Sequence, residues 1–262
     1  FFFKQKTAYE IPKRDWSSDV CSSDLSRLQD SEQQALGSAA GVVVTGAVTQ
    51  AVVASYGVPP DRVVLAEPGT DPAPLSPGSG SDIIEVLCVA TVNHGKGHAS
   101  LLRSLASVHT RAWHLTCAGS EARDARTVEH VRGLTRSLGI AHQVTFRGEL
   151  DPQELESCYS SADLFALPTL RETFGMAVAE AIAHGLPVIS TATGAIPRLV
   201  GAGGMVVPAG DEPAFAHALA RAITDRTERQ RLASAARQAR NHLPGWESTL
   251  DTIVTLLTRL DG

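Results

Sequence analysis

The chain has 262 residues, a formal net charge of −5 and a pI of about 6.0. This balance excludes the broad basic surface by which proteins hold nucleic acid or an anionic membrane, while an apolar fraction of 43% is ordinary for a globular core. The four cysteines include no CxxC pair, and no apolar run approaches the roughly 18 residues of a membrane-spanning helix, so we predict neither a disulfide framework, nor a zinc site, nor a transmembrane segment.

The first 25 residues differ in composition from the remainder of the chain. Three of the four lysines and three of the seven phenylalanines lie there, whereas the sequence from Ser26 onward is rich in Ala, Arg and Val. FFFKQKTAYEI and RDWSSDVCSSDL resemble the conceptual translation of a common sequencing-adapter oligonucleotide. We therefore predict that residues 1–25 are an artefact without fixed structure; a natural disordered leader is the alternative.

Residues 26–67 contain two short β-rich runs, 42–45 and 62–66. One or two strand–helix units are too few to close a domain, so we predict that this stretch is the end of a truncated N-terminal domain. The following segment, 68–82, is rich in Pro, Gly and Ser, which indicates a linker.

From residue 83 onward, apolar runs typical of strands alternate with stretches whose apolar residues recur every three or four positions. The runs cover 83–90, 113–119, 143–148, 163–168, 187–191 and 204–208. Near-continuous apolar strands are typical of parallel strands covered on both faces. The pattern predicts an α/β fold, a Rossmann-like doubly wound parallel sheet, which two terminal helices extend into a C-terminal domain over 83–262. Asp151 and Asp211 are predicted helix N-caps, and Gly139 and Gly185 predicted C-caps.

Small or polar loops follow five of these strands, at what would be one edge of the sheet. Thr91 opens the loop TVNHGKGH, GSE follows the next strand, Gly148 opens GELD, and PTLRETFG and TATGA follow two later strands. Because ligands bind at the carboxyl ends of parallel strands, near the point where the strand order reverses, we predict a binding site at this edge.

Lys96 is the only lysine after Ser26, in a stretch that otherwise uses Arg for positive charge. A position that keeps Lys there indicates a need for a compact ammonium group. Its Gly-Lys-Gly loop between a strand and a helix suits a phosphate or pyrophosphate; a surface lysine in a turn is the alternative. A Walker A loop is excluded, because Ala90 stands where the first glycine should be and Gly97 replaces the Ser or Thr that would hold magnesium.

Two glutamates, Glu172 and Glu180, frame a Phe-Gly turn with seven residues between them. We predict a helix that starts near Phe174 or Gly175, which puts Glu172 in the preceding loop and Glu180 inside the helix, facing one cleft. The backbone amides of Phe174, Gly175 and Met176 would then be free donors suited to an anion. A carboxylate on an Ala-rich helix could accept from vicinal sugar hydroxyls; the alternative is a solvent-facing Glu180 and a Glu172 that only complements the helix dipole.

These motifs carry a family resemblance. TVNHGKGHASLLRSL, FRGEL, ADLFALPTLRETFGMAVAEAIAHGLPVISTATGAIPRLV and GGMVVPAGD resemble the donor-binding half of family 4 glycosyltransferases, which are retaining enzymes of the two-Rossmann (GT-B) fold. The resemblance covers about residues 42–262, and the pair of glutamates with its continuation is its most specific part. It implies that 26–67 is the remnant of the N-terminal, acceptor-binding Rossmann domain.

The resemblance also assigns roles to residues. Lys96 would contact the donor diphosphate, Glu172 would lie by the donor sugar hydroxyls and Glu180 by the ribose hydroxyls. Lys96 and Glu172 are the predicted catalytic residues. The predicted donor-binding set comprises Thr91, Lys96, Gly148, Glu172, Thr173, Phe174, Gly175, Met176 and Glu180.

Two departures from the family pattern stand out. The family often has Gly-Arg, with the Arg as a second phosphate contact, where this chain has Ala90-Thr91; Arg171 is a candidate substitute. Gly-Gly and Pro-Glu are common where this chain has Gly194-Ala195 and Pro197-Arg198, which affects the expected sugar preference more than the fold.

The resemblance implies transfer of a sugar from a UDP-, GDP- or ADP-sugar to an acceptor hydroxyl, with retention of configuration and with no metal or tightly bound cofactor. The acceptor, whether glycan, lipid or small molecule, is left open. We expect a bacterial, cytoplasmic protein, with peripheral membrane contact possible through the missing N-terminal domain. The chain as given is expected to bind nucleotide weakly and not to turn over.

Two other functions compete with this one. A sugar-nucleotide epimerase of the same architecture would release free sugar without an acceptor. A non-enzymatic nucleotide-binding module would use Lys96 and Glu180 for binding but show no chemistry.

Overall fold

The computed structural model describes residues 22–110 and 112–261, which form two sheets of parallel strands with helices around them. The strands are β1 (Val42–Val44), β2 (Val63–Leu65), β3 (Ile84–Val89), β4 (Trp113–Ala118), β5 (Val144–Gly148), β6 (Leu164–Leu167), β7 (Val188–Thr191) and β8 (Gly204–Val207). The α-helices are α1 (Ser22–Ser38), α2 (Ala47–Ser55), α3 (His98–Ser107), α4 (Ala125–Ser137), α5 (Pro152–Ser161), α6 (Met176–Ala183), α7 (Ile196–Val200), α8 (Glu212–Thr224), α9 (Arg226–Ala239) and α10 (Trp246–Asp261). Each predicted apolar run contains one of these strands.

The larger sheet has the strand order β5-β4-β3-β6-β7-β8, with every pair parallel. In chain order this is the 3-2-1-4-5-6 arrangement of the Rossmann fold. The order reverses between β3 and β6, so the loops that leave these two strands flank the switch point. The predicted doubly wound parallel sheet is confirmed.

The core of this unit lies on both faces of its sheet. Every residue of β6 and β7 is buried, as expected for central strands that helices cover on both sides. Local signals delimit the helices around them. Asp151 forms a reciprocal capping box with Glu154 at the start of α5, and Asp211 accepts from the Ala214 amide at the start of α8.

The first unit is small: β1 and β2 pair in parallel, with α1 and α2 beside them. Of the predicted artefact, 1–25, residues 1–21 lie outside the described residues. Residues 22–25, predicted to lack fixed structure, instead form the first turn of α1, because a helix nucleated in the following polar and Ala-containing sequence extends backward at little cost.

The predicted linker, 68–82, contains neither helix nor strand, yet hydrogen bonds hold it against the larger unit. The Thr70 amide donates to the Pro244 carbonyl at 2.7 Å, and the buried Ser76 hydroxyl lies 2.9 Å from the Ser160 carbonyl oxygen. Within the described ranges, no helix combines the length and apolarity that crossing a membrane requires.

Candidate functional site

The loops that follow β3, β4 and β5 lie side by side at the carboxyl edge of the larger sheet. The Ala90 amide donates to the Ala118 carbonyl at 2.9 Å, and the Gly119 amide donates to the Gly148 carbonyl at 2.7 Å. Gly148, a predicted site residue, therefore ends β5 at this edge, and Thr91 lies half-buried in the loop after β3. The structure places both at the predicted edge.

The loops after β3 and β6 are locked together at the switch point. The Leu170 amide donates to the Gly95 carbonyl at 2.8 Å. Gly97 has φ 73°, and a Cβ there would lie 2.1 Å from the Pro168 carbonyl oxygen, so this position admits only glycine. The second glycine of Gly-Lys-Gly thus serves the close approach of two loops.

Lys96 and Glu172, predicted from separate motifs, meet in space. The Lys96 Nζ lies 2.5 Å from the Glu172 Oε2, and their side chains are 26% and 19% exposed. The Asn93 side chain accepts from the Lys96 amide at 3.2 Å and so shapes the turn that presents the ammonium group. The result is a half-buried ion pair at the switch point, where charge-assisted hydrogen bonds are strong.

The N-terminus of α6 adjoins this ion pair in sequence. Its N-cap, Gly175, has φ 100° and no side chain caps it. The Val178 and Ala179 amides both donate to the Gly175 carbonyl, so the Met176 amide precedes the first helical hydrogen bond. The helix begins one or two residues later than predicted, because Phe174 is buried in the core and holds the preceding turn. Uncapped amides and the helix dipole favour an anion here.

Thr173 lies between the two structural units. A Cβ on Gly194, in the loop after β7, would lie 2.4 Å from both the Glu172 and the Thr173 carbonyl oxygens. A Cβ on Gly46, just before α2 in the first unit, would lie 2.8 Å from the Thr173 oxygen. The first unit therefore reaches the site through Gly46, which the sequence did not indicate.

Glu180 is inside α6, as predicted, and has a partner that the sequence did not identify. The Tyr159 hydroxyl, from α5, lies 2.8 Å from the Glu180 Oε2. Burial raises the pKa of the Glu180 carboxyl above its ordinary value, while the Tyr159 hydrogen bond and the nearby His184 oppose that rise. A carboxylate held in this setting can accept further hydrogen bonds from hydroxyl groups.

Other polar side chains in these loops and helices contact neighbouring parts of the fold. His98 is buried against the Cys88 sulfur, and His184 is buried between two oxygens. Arg198, at the unusual Pro-Arg position, pairs with Glu67 at 2.6 Å. Arg171 is exposed beside Glu172 and stays a candidate second phosphate contact.

Comparisons with known proteins agree on one family. The model of the family described as "Glycosyl transferases group 1" matches residues 84–225. The chain is 33% identical over 225 residues to a D-inositol 3-phosphate glycosyltransferase of Corynebacterium diphtheriae, a match that covers 78% of this chain and 53% of that protein. The chain spans about half the length of the curated relatives it matches.

Solved structures share the fold. A sucrose-phosphate synthase from Thermosynechococcus elongatus superposes with a TM-score of 0.79 at 25% identity, over 96% of this chain and 64% of that one. Anabaena Alr3699/HepE, solved in complex with UDP and glucose, superposes with a TM-score of 0.79 at 20% identity, over 92% of this chain and 70% of that one. Both likenesses support the predicted GT-B arrangement.

Proposed function

The chain belongs to the group 1 glycosyltransferases, and we propose that it carries the donor-binding half of a retaining family 4 enzyme. This enzyme transfers a sugar from a nucleotide sugar to an acceptor hydroxyl. The named relatives support the transferase class, and the residues at the switch point support the nucleotide-sugar donor.

The observation that carries the proposal is the contact between Lys96 and Glu172 beside the uncapped start of α6. Two distant parts of the chain converge there: the loop after β3 supplies a compact cation, and the segment that leads into α6 supplies an acid and free amide donors. A nucleoside diphosphate sugar presents the complementary groups in the same order, with anionic phosphates followed by sugar hydroxyls. A glycosidase would also need two carboxylates, but as acid and nucleophile around one bond, whereas we propose that Glu180 lies at the nucleotide end of the site.

In the proposed reaction, Lys96 and the Met176 amide contact the leaving diphosphate and Glu172 contacts the transferred sugar. As the bond between sugar and phosphate breaks, negative charge grows on the departing diphosphate. The Lys96 ammonium and the Met176 amide stabilise that charge, which is commonly the largest contribution to catalysis. Glu172, already bound to Lys96, accepts hydrogen bonds from the sugar hydroxyls and holds the ring against the cleft.

No group of three His, Cys, Asp or Glu residues within the described ranges is arranged to hold a metal ion. Our proposal that the reaction needs no metal rests on the ammonium and the helix N-terminus supplying the positive charge. We propose a cytoplasmic location, which the free thiols of Cys88, Cys117 and Cys158 support.

For the acceptor, we propose only a chemical class. The curated relatives are named for D-inositol 3-phosphate, so a phosphorylated polyol is the first acceptor to test. Glycans and lipids follow, since acceptor choice is expected to depend on the part of the longer relatives that this chain does not cover.

Calorimetric titration with UDP, GDP and ADP tests the donor site. We expect one of the three to bind, and Lys96→Met to weaken that binding about tenfold or more, since it removes a charge-assisted contact. Arg221→Met is the matched control, because it removes a cation that pairs with Glu228 at 2.9 Å between α8 and α9. Absence of binding by all three nucleotides, or equal weakening by both variants, would contradict the proposed function.

A further inference from the structure

The environment of Glu180 is built by residues that no part of the proposed reaction uses. Tyr159 is 2% exposed, and its hydroxyl lies 2.8 Å from the Glu180 Oε2 and 3.3 Å from the Ala177 carbonyl oxygen. A tyrosine hydroxyl has one proton to donate. The shorter contact to the charged acceptor takes it, because charge-assisted hydrogen bonds are the stronger ones.

The tyrosine ring is itself held in place. It stacks on the His184 ring, with centroids 4.5 Å apart and planes 12° from parallel. His184 is fixed in turn at both ring nitrogens, since Nδ1 lies 2.8 Å from the Glu180 carbonyl oxygen and Nε2 lies 2.9 Å from the Glu156 Oε2. His184, at the C-terminal end of α6, thus links that helix to α5 through Glu156 and Tyr159. The hydroxyl therefore meets the carboxylate in a fixed direction.

The two oxygens of Glu180 are consequently unequal. Oε2 accepts from Tyr159, whereas Oε1 has no hydrogen-bond donor among the residues that the structure describes. A carboxylate oxygen has two lone pairs, so Oε1 and the second lone pair of Oε2 can receive two neighbouring hydroxyls. Rotation of the carboxylate would break this match, and Tyr159 opposes rotation.

We propose that Tyr159 is a positioning residue that orients the Glu180 carboxylate to accept the vicinal ribose hydroxyls of the donor nucleotide. The inference rests on the proposed function, because it takes Glu180 to lie at the nucleoside end of the donor. It adds a residue from α5 to a site otherwise built from the sheet edge and α6. Tyr159 contacts the nucleotide only through Glu180.

The test compares a ribonucleotide with its 2′-deoxy analogue. For whichever of UDP, GDP and ADP binds the full chain most tightly, we expect the ribonucleotide to bind about tenfold better than the deoxy form. Tyr159→Phe, which keeps the ring and its stacking, should reduce that preference to about threefold or less and leave the affinity for the deoxy form nearly unchanged. Tyr56→Phe is the matched control, since the Tyr56 hydroxyl donates to the Glu32 Oε2 at 2.7 Å in the first unit.

A double-mutant cycle separates positioning from a structural effect. In a Glu180→Gln background, Tyr159→Phe should no longer change the preference for the ribonucleotide. An unchanged preference in Tyr159→Phe, equal loss for both nucleotides, or the same effect in the Glu180→Gln background would overturn the inference while leaving the donor site intact. Failure of the unsubstituted chain to bind any nucleoside diphosphate would overturn the proposed function and this inference together.

Discussion

At the scale of single residues, the cost of burying the Glu180 charge opposes the role in binding that we propose for it. Burial raises the pKa of its carboxyl, so the folded state holds the proton more tightly than the unfolded state does. Stability from this group therefore falls as the pH rises through the interval between the two pKa values. The ionised form is the one that can accept two hydroxyls, and forming it in the folded state costs stability.

This opposition predicts the behaviour of Glu180→Gln. At pH 7 the variant should have a melting temperature about 1–2 °C above that of the unsubstituted chain, because a neutral amide of similar shape avoids the desolvation of a charge. The difference should shrink as the pH falls towards the range in which the carboxyl protonates. Nucleotide affinity should fall at pH 7. Thermal unfolding at several pH values measures the first effect, and a lower melting temperature for the variant at pH 7 would contradict it.

Gly97 gives a second prediction at this scale. Gly97→Ala should lower the free energy of unfolding by about 2–3 kcal/mol, because it adds a clash with the Pro168 carbonyl to the cost of positive φ. Gly139→Ala is the matched control, since Gly139 has φ 69° with nothing within 4 Å of the added Cβ, and it should lose about 1 kcal/mol. Denaturant titration compares the two, and equal losses would show that the close approach contributes nothing.

At the scale of elements, the two helices of the candidate site, α5 and α6, differ in how their first turns are capped. Helix α5 brings Tyr159 to Glu180, and its capping box between Asp151 and Glu154 defines where it starts. Helix α6 starts without a side-chain cap. The N-terminus of α5 is thus capped by its own side chains, whereas the first amides of α6 have no side-chain cap.

The capping box predicts a modest, local effect. Asp151→Ala should lower the free energy of unfolding by about 1 kcal/mol, because the Glu154 amide loses its acceptor, which lies at 2.8 Å. The exposed Gln153→Ala in the same first turn serves as the control and should change stability by less than about 0.5 kcal/mol. Urea unfolding of both variants measures this, and a loss no larger for Asp151→Ala than for Gln153→Ala would contradict the role of the cap.

At the scale of the whole molecule, the C-terminal helix α10 ties the two units together. The Thr249 hydroxyl donates to the Glu67 carbonyl at 2.6 Å, and Leu256 is buried against the first unit beside Gly41. The Arg198–Glu67 ion pair adds a contact from α7. The first unit thus depends on α10 for its position at Thr173.

Gly69 tests that dependence. A Cβ there would lie 2.3 Å from the Trp246 backbone nitrogen, so Gly69→Ala should separate the 66–70 segment from the start of α10. We expect faster amide hydrogen exchange in β1, β2 and α10, with exchange in the larger sheet unchanged. Gly245→Ala, next to Trp246 but with nothing within 4 Å, is the control. Uniform acceleration across the larger sheet would show that the two units do not separate.

Features that depend on residues close together in the chain could be predicted from the sequence. Strands such as 163–168 and caps such as Asp151 were predictable, because apolar periodicity and capping are properties of neighbouring residues. Lys96 and the Glu172–Glu180 pair were identifiable as candidates, because an isolated lysine in a glycine loop and an acid in an apolar helix are locally unusual. Their assigned roles remain predictions.

Only the tertiary structure decided which of these residues meet. Nothing in the sequence connects Tyr159 to Glu180, which lies 21 positions further along the chain. The same holds for Gly97 against Pro168 and for Gly46 against Thr173. Such contacts follow from the order of strands in the sheet and from how closely two loops approach, and these depend on packing the whole chain rather than on any local pattern.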